Sequence, residues 1–380
     1  MAIDFAVIPS PCYVLDEQRL RRNLEVLHHA AEATGARIIC ALKGYAMFST
    51  FPMVRRYLSG AAASSLYEAR LSLEEMQSRA HLCAPAYRED EFDDLLRLCS
   101  HITFNSLDQW ERFRGRIRES SEPVRCGLRI NPEHSEVATD LYNPARPGSR
   151  LGIRRDGLPD TLPGGISGLH FHSLCENDSH ALERTLAAVE DRFAPLIGQC
   201  SWINFGGGHL ITSGGYDVPH LIGLILSFRD RYGGIEVILE PGAAVGWEAG
   251  YLVSTVQDIV ETGDGKTAIL DVSFTSHMPD TLEMPYKPRI VGATDPVEGR
   301  PSYCMGGISC LAGDCMGDYS FDRPLAIGDR VVFEDMIHYT MVKTTTFNGV
   351  GLPSIGIWTE AGNFRLVRAF GYDDFRNRLS

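Results

Sequence analysis

The chain has no apolar stretch long enough to span a bilayer. Its opening residues, Met1-Ala2-Ile3-Asp4-Phe5, carry neither the basic nor the hydrophobic segment of a secretory signal. A cytoplasmic location is the expectation. It also lacks basic excess: 36 Lys and Arg stand against 49 Asp and Glu, a formal net charge of −13. That balance argues against nucleic acid or an anionic membrane surface as partner and is compatible with a cationic small molecule. None of the 10 cysteines form a C-x-x-C pair, so they read as reduced thiols rather than a disulfide framework. Short repeats, low-complexity tracts and long linkers are missing too. What remains is an ordinary globular composition, 44% hydrophobic and 22% charged, in 380 residues, enough for two domains or one barrel with an appendage.

From Arg37 to Glu240 short apolar runs alternate with longer amphipathic ones. The spacing predicts strands over 37–42, 60–64, 81–84, 101–105, 124–130, 167–172, 202–205 and 236–239. Helical patterns fill most gaps, over 50–58, 66–78, 89–98, 107–118, 179–197 and 219–232, several behind Ser or Asn caps. About eight strand–helix units is the count of a (β/α)8 TIM barrel; a doubly wound sheet usually needs about six strands. A barrel places its chemistry just after the strands. The strand ends here read Lys43, Ser64-Ser65, Asn105, Arg129 with Asn131, His172, Gly206-Gly207-Gly208 and Glu240. Beyond about Gly250, β-branched runs at 251–256, 267–272, 330–333 and 339–342, broken by Gly, Pro and Asp, indicate a mostly-β domain. The expected organisation is a barrel over 17–250, with 1–16 and 251–380 forming a β-rich domain, the segment 12–15 adding a strand to it.

Lys43 ends the apolar run Arg37-Ile38-Ile39-Cys40-Ala41-Leu42. A lysine there either runs its stem to water or does chemistry. Desolvation favours its neutral amine, the nucleophile that forms Schiff bases with aldehydes. Phe205-Gly206-Gly207-Gly208-His209 follows the seventh strand, where barrels commonly bind phosphate through backbone N–H groups. Glu240-Pro241-Gly242 follows the eighth; a carboxylate there either pairs with an arginine or keeps a heterocyclic nitrogen protonated. An aldehyde, a phosphate and a pyridine nitrogen together describe pyridoxal 5′-phosphate. His170-Phe171-His172 puts two imidazoles on one strand face, a pattern also seen in metal hydrolases. The other strand ends supply no further ligands, so no metal is expected; His170 reads as interior filling and His172 as a face against the cofactor ring. Cys310, in Gly306-Gly307-Ile308-Ser309-Cys310, is either a buried thiol or part of a loop reaching into a site.

These residues resemble the fold-type III pyridoxal-phosphate decarboxylases, the family of ornithine and diaminopimelate decarboxylases. The resemblance runs from about Pro11 to Asn348 through ALKGYAMFSTFPMVRRYL (41–58), SSLYEARL (64–71), FGGGH (205–209), SFTSHMPDTLEMPYKP (273–288), GGISCLAGDCMGDY (306–319) and HYTMVKTTTFNGVG (338–351). It implies that Lys43 holds the cofactor aldehyde and His172 stacks on its ring. Gly206, Gly207, Gly208 and Gly242 would hold the phosphate with help from Tyr339, and Glu240 would pair with the ring nitrogen. Cys310 would come from the other subunit of a homodimer with shared active sites, as proton donor. Asp314, His277, Asp280 and Glu283 would contact a small cationic carboxylated polyamine, carboxynorspermidine or carboxyspermidine. The same machinery serves decarboxylases of diaminopimelate, ornithine or arginine, and a catalytically silent homologue would retain the cofactor contacts. Two positions depart from the family pattern: Ala243, where many relatives carry a phosphate-binding arginine, and Ala62, where many carry aspartate.

Overall fold

The structure, a computed structural model, describes residues 2–263 and 265–380. Its contacts divide the chain into two compact units, Asn23–Val245 and the combination of Met1–Arg22 with Gly246–Ser380. The chain opens with β1 (Cys12–Asp16) and the long helix α1 (Glu17–Thr34), within which the first boundary falls.

The unit 23–245 is a parallel barrel. Its strands are β2 (Arg37–Ile38), β3 (Cys40–Ala41), β4 (Ala61–Ala63), β5 (Ala80–Cys83), β6 (Cys99–Phe104), β7 (Arg125–Arg129), β8 (Ile166–His170), β9 (Trp202–Asn204) and β10 (Glu236–Leu239). β2 pairs with β10 and β3 with β4, so these two pieces of one interrupted strand close the ring. Its helices are α2 (Phe51–Val54), α3 (Leu66–Leu71), α4 (Phe92–Leu98), α5 (Leu107–Glu119), α6 (Ser179–Ile197) and α7 (Val218–Arg231). The caps are local chemistry. Ser65, Ser106, Asp178 and Asp217 each accept a hydrogen bond from a first-turn N–H. The helix expected over 66–78 is α3 followed by a π-helical turn, Ser72–Met76, ending at Gln77 in the left-handed region (φ 57°). Ile39, Ala41, Ala62, Trp202 and Ile238 form a buried cluster in this unit. Ala62 is thus a packed apolar residue of the barrel interior.

The other unit holds a sheet of β1, β11 (Gly250–Thr262), β12 (Gly265–Leu270), β13 (Ala293–Thr294), β14 (Ser302–Gly306), β15 (Cys315–Phe321), β16 (Arg330–Glu334), β17 (Ser354–Trp358) and β18 (Phe364–Arg368). The order is β13-β15-β14-β12-β11-β1-β17-β18, with β16 also on β11. The N-terminal segment joins it as expected: β1 lies antiparallel to β11 and parallel to β17. Ile8, Cys12, Val14, Tyr251, Val253, Val332 and Trp358 form its core. One β expectation fails. Residues Tyr339–Val342 form a single helical turn, because Lys343 N–H closes on Tyr339 O and Thr340 Oγ donates to Asp280. Four residues are too few to separate a period of 2 from one of 3.6.

Candidate active site

The barrel brings Lys43, His172, Gly206–Gly208 and Glu240 to the same ends of its strands. Lys43 keeps exposed surface, yet protein surrounds its amine on the remaining sides. Desolvation lowers its pKa below the ordinary lysine range; nearby Arg129 lowers it further, and Glu240 opposes the fall. Its Nζ lies 3.5 Å from His172 Nε2. The His172 ring is held from behind, where Gly207 N–H donates to Nδ1 at 2.8 Å. Burial, Lys43 and Arg129 depress the His172 pKa well below the usual range. An imidazole that is neutral and accepts at Nδ1 carries its proton on Nε2, the nitrogen that faces the lysine amine.

Glu240 is 8% exposed. Burial raises its pKa, while the Asn204 amide, Lys43 and Arg129 pull it back. Asn204 Nδ2 donates to Oε1 at 2.6 Å, and Asn204 Oδ1 accepts from Gly206 N–H at 2.8 Å, so one side chain orients both the carboxylate and the glycine turn. His170 Nε2 stands 3.8 Å from Oε2, and its pKa is depressed by burial, so the two form no ion pair. His170 is 2% exposed, an interior residue.

The glycines are required by close approach. A Cβ on Gly207 would fall 2.5 Å from Glu240 O and 3.2 Å from His172 Cε1. One on Gly44 would fall 2.9 Å from Gly242 Cα, so the turn after Lys43 packs directly on the turn after Glu240. Within the turn Gly206 N–H donates to Asn204 Oδ1 and Gly207 N–H to His172 Nδ1. Among the described residues, Gly208 N–H has no acceptor and is the one left from that turn.

The remaining candidates belong to the other unit. Tyr339 opens the helical turn described above and is half-buried. Cys310 is exposed, on the loop from β14 to β15, with its N–H on Asn348 Oδ1 at 2.9 Å. Glu283 is exposed and paired with Lys343. Asp280 is 7% exposed; Oδ2 accepts from Tyr286 and Thr340, and Oδ1 has no partner among the described residues. The other two expected substrate contacts are more deeply buried. His277 is fully buried, its pKa pushed down to about 4 by burial, with Nδ1 accepting from Ser273 N–H. Asp314 is 4% exposed, and its carboxylate accepts from Ser309 Oγ, Ser309 N–H and Thr275 N–H at 2.6, 3.2 and 3.0 Å. Both side chains support their own loops through these bonds.

Residues 12–337 match the family model described as pyridoxal-dependent decarboxylase, C-terminal sheet domain. The chain belongs to the pyridoxal-dependent decarboxylases. It is 52% identical to a carboxyaminopropylagmatine decarboxylase of Synechocystis, over 98% of this chain and 96% of that one. It is 44% identical to a carboxynorspermidine/carboxyspermidine decarboxylase of Campylobacter jejuni, over 98% of each. The crystal structure of a C. jejuni carboxynorspermidine decarboxylase with norspermidine superposes with TM-score 0.90 at 42% identity, covering 98% of this chain and 100% of that one. The expected barrel and sheet domain are those of this decarboxylase family, and pyridoxal phosphate is its cofactor. The residues present fit that group: a desolvated lysine for the aldehyde, a carboxylate with one oxygen unclaimed for the ring nitrogen, and a glycine turn for the phosphate. The sequence reading missed Asn204 and gave Arg129 no role. Asn204 precedes the glycine turn at a strand end, and that position was its signal. Arg129 lies close enough to Cys83, Lys43, Glu240 and His172 for its charge to bear on all four.

Proposed function

We propose that the chain decarboxylates a carboxylated aminopropyl polyamine, carboxynorspermidine or carboxyspermidine, releasing norspermidine or spermidine. The observation that carries the proposal is full-length similarity to decarboxylases of such compounds, joined to a desolvated lysine facing His172 in the barrel. Pyridoxal phosphate, when bound, supplies the electron sink that lets the substrate carboxylate leave as carbon dioxide. Lys43 would hold the aldehyde, His172 would lie against the ring, Glu240 would keep the ring nitrogen protonated, and Gly206, Gly207, Gly208, Gly242 and Tyr339 would attend the phosphate. The Gly207 N–H fixes the imidazole, and Asn204 aims the carboxylate. Cys310, exposed on its loop and supplied by a second copy of the chain, hands its thiol proton to the α-carbon after carbon dioxide departs. Asp280 and Glu283 attract the cationic tail. The enzyme works in the cytoplasm, where its free cysteines stay reduced.

A second reading is favoured by the 52% identity to the Synechocystis enzyme, whose name specifies carboxyaminopropylagmatine. That compound shares the amino-acid head and ends in a guanidinium instead of an ammonium. A carboxylate meets a guanidinium through two parallel hydrogen bonds and an ammonium as a point charge, so the tail pocket distinguishes them. Specificity constants for carboxynorspermidine, carboxyspermidine, carboxyaminopropylagmatine, diaminopimelate and ornithine test both readings. The first requires one of the two carboxylated triamines to lead, the second the agmatine derivative. A lead by diaminopimelate or ornithine overturns both.

A further inference from the structure

Away from the cofactor residues, two histidines and a glutamate meet where α6 and α7 begin. His180 and Glu183 stand three residues apart on α6, hence on one face, and His220 lies in the first turn of α7. One ligand atom from each lies within 4.8 Å of the other two. Glu183 Oε2 is 3.4 Å from His220 Nε2 and 3.9 Å from His180 Nδ1, and the two imidazoles stack at 4.3 Å.

A second observation concerns the far side of His220. Its Nδ1 is 3.0 Å from the hydroxyl of Ser179, a residue with no exposed surface. When that nitrogen donates to the serine, Nε2 carries the free lone pair and faces Glu183. A histidine whose outer nitrogen is held by a buried oxygen is the usual support of a metal ligand. Asp217 Oδ1 also caps α7 on the His220 N–H at 2.8 Å, which fixes the backbone that carries the ring.

We propose that His180, Glu183 and His220 bind one divalent transition-metal ion of the zinc class, which clamps the first turns of α6 and α7 together. Two imidazole nitrogens and one carboxylate suit zinc, with water completing the coordination, whereas calcium and magnesium prefer all-oxygen sets. The position gives the clamp a consequence. Residues 171–178, which lead into α6, carry His172; residues 205–217, which lead into α7, carry Gly206–Gly208. The two loops already touch through Asn177 N–H to Gly208 O at 2.9 Å and Leu210 N–H to Asn177 O at 3.1 Å. An ion bridging the helices just beyond these bonds steadies both loops.

The test titrates Zn2+ into chelator-treated, cofactor-loaded full-length protein by calorimetry. Wild type takes up one equivalent that H180A and H220A lose, each affinity falling by at least about ten-fold, and S179A weakens it by about 10–100-fold. Co2+ substitution reports the donor atoms: a spectrum without thiolate charge transfer fits this site, whereas a thiolate band assigns the ion to exposed Cys310 or Cys315 and overturns the proposal. Zn2+ binding unchanged in the H180A/H220A double variant overturns it as well. Hydrogen exchange then reads the clamp. Slower exchange over 171–178 and 205–217 with Zn2+, absent in H180A, supports it; unchanged exchange in wild type removes the clamping role.

Discussion

Lys43 reacts as an amine only when unprotonated, and its surroundings set the pH at which that state appears. Desolvation and Arg129 lower its pKa and Glu240 opposes them, so the neutral fraction rises with pH through a midpoint below the ordinary lysine value of about 10.4. The rate at which cofactor-free protein captures pyridoxal phosphate should therefore climb with pH and level off at lower pH than an ordinary lysine would require. Absorbance-monitored reconstitution across a pH series measures this. A midpoint at the ordinary lysine value would mean the amine is solvated as on any surface. Replacing Arg129 with Gln removes a neighbouring cation and should move that midpoint upward, which separates its electrostatic effect from that of burial. Lys43 was legible in the sequence because a lysine ending an apolar run is conspicuous. Asn204 was not, because an asparagine at a strand end is ordinary until its amide is seen bridging Gly206 and Glu240.

At the scale of elements, the eight barrel strand positions were legible because each is a short apolar run bounded by Gly, Pro or Ser. Elements that depend on partners were not. The π-helical turn at Ser72–Met76 and the helical turn at Tyr339–Val342 follow from contacts that no local pattern records. Asp314 shows the same dependence on partners: the family resemblance implies a substrate contact there, and the fold also makes it an anchor of its own loop. Gly307 N–H reaches Asp314 O at 2.7 Å, and a Cβ on Gly307 would lie 2.2 Å from the Asp314 carboxylate. Asp314→Ala strips acceptors from Ser309 and Thr275. The expected cost is about 1–3 kcal/mol in urea unfolding, with slower turnover and unchanged cofactor content. Because the substitution acts through the position of Cys310, kcat should fall more than KM rises. A large rise in KM with stability untouched would instead make Asp314 a substrate ligand.

Across the whole molecule, the chain buries imidazoles without partners. His81 and His101 stack at 3.8 Å on neighbouring barrel strands; both nitrogens of His81 and of His170, and Nε2 of His101, have no hydrogen-bond partner among the described residues. Burial drives the His81 and His170 pKa values well down and pushes His101 to about 3; Arg37 and Arg125 add to the effect on His81 and His101, and Glu236 opposes it on His101. These rings fold neutral and are released on unfolding to a pKa near 6.5. The unfolded chain thus binds more protons than the folded one below that pH, and stability falls as pH falls. Each such group contributes up to about 1.4 kcal/mol per pH unit once the pH is well below 6.5. Glu68, Glu240 and Asp271 have raised pKa values and act in the opposite direction, but hydrogen bonds to the charged form restrain each of them. The balance favours the imidazoles. Between pH 6.5 and 5, above the range where ordinary surface carboxylates titrate, the melting temperature should drop steadily, and calorimetry should register proton uptake on unfolding. His101→Phe keeps a ring on the face of His81 and removes one titrating group, so it should flatten the slope. A melting temperature that holds level or rises between pH 6.5 and 5 would show that protons reach these rings in the folded state.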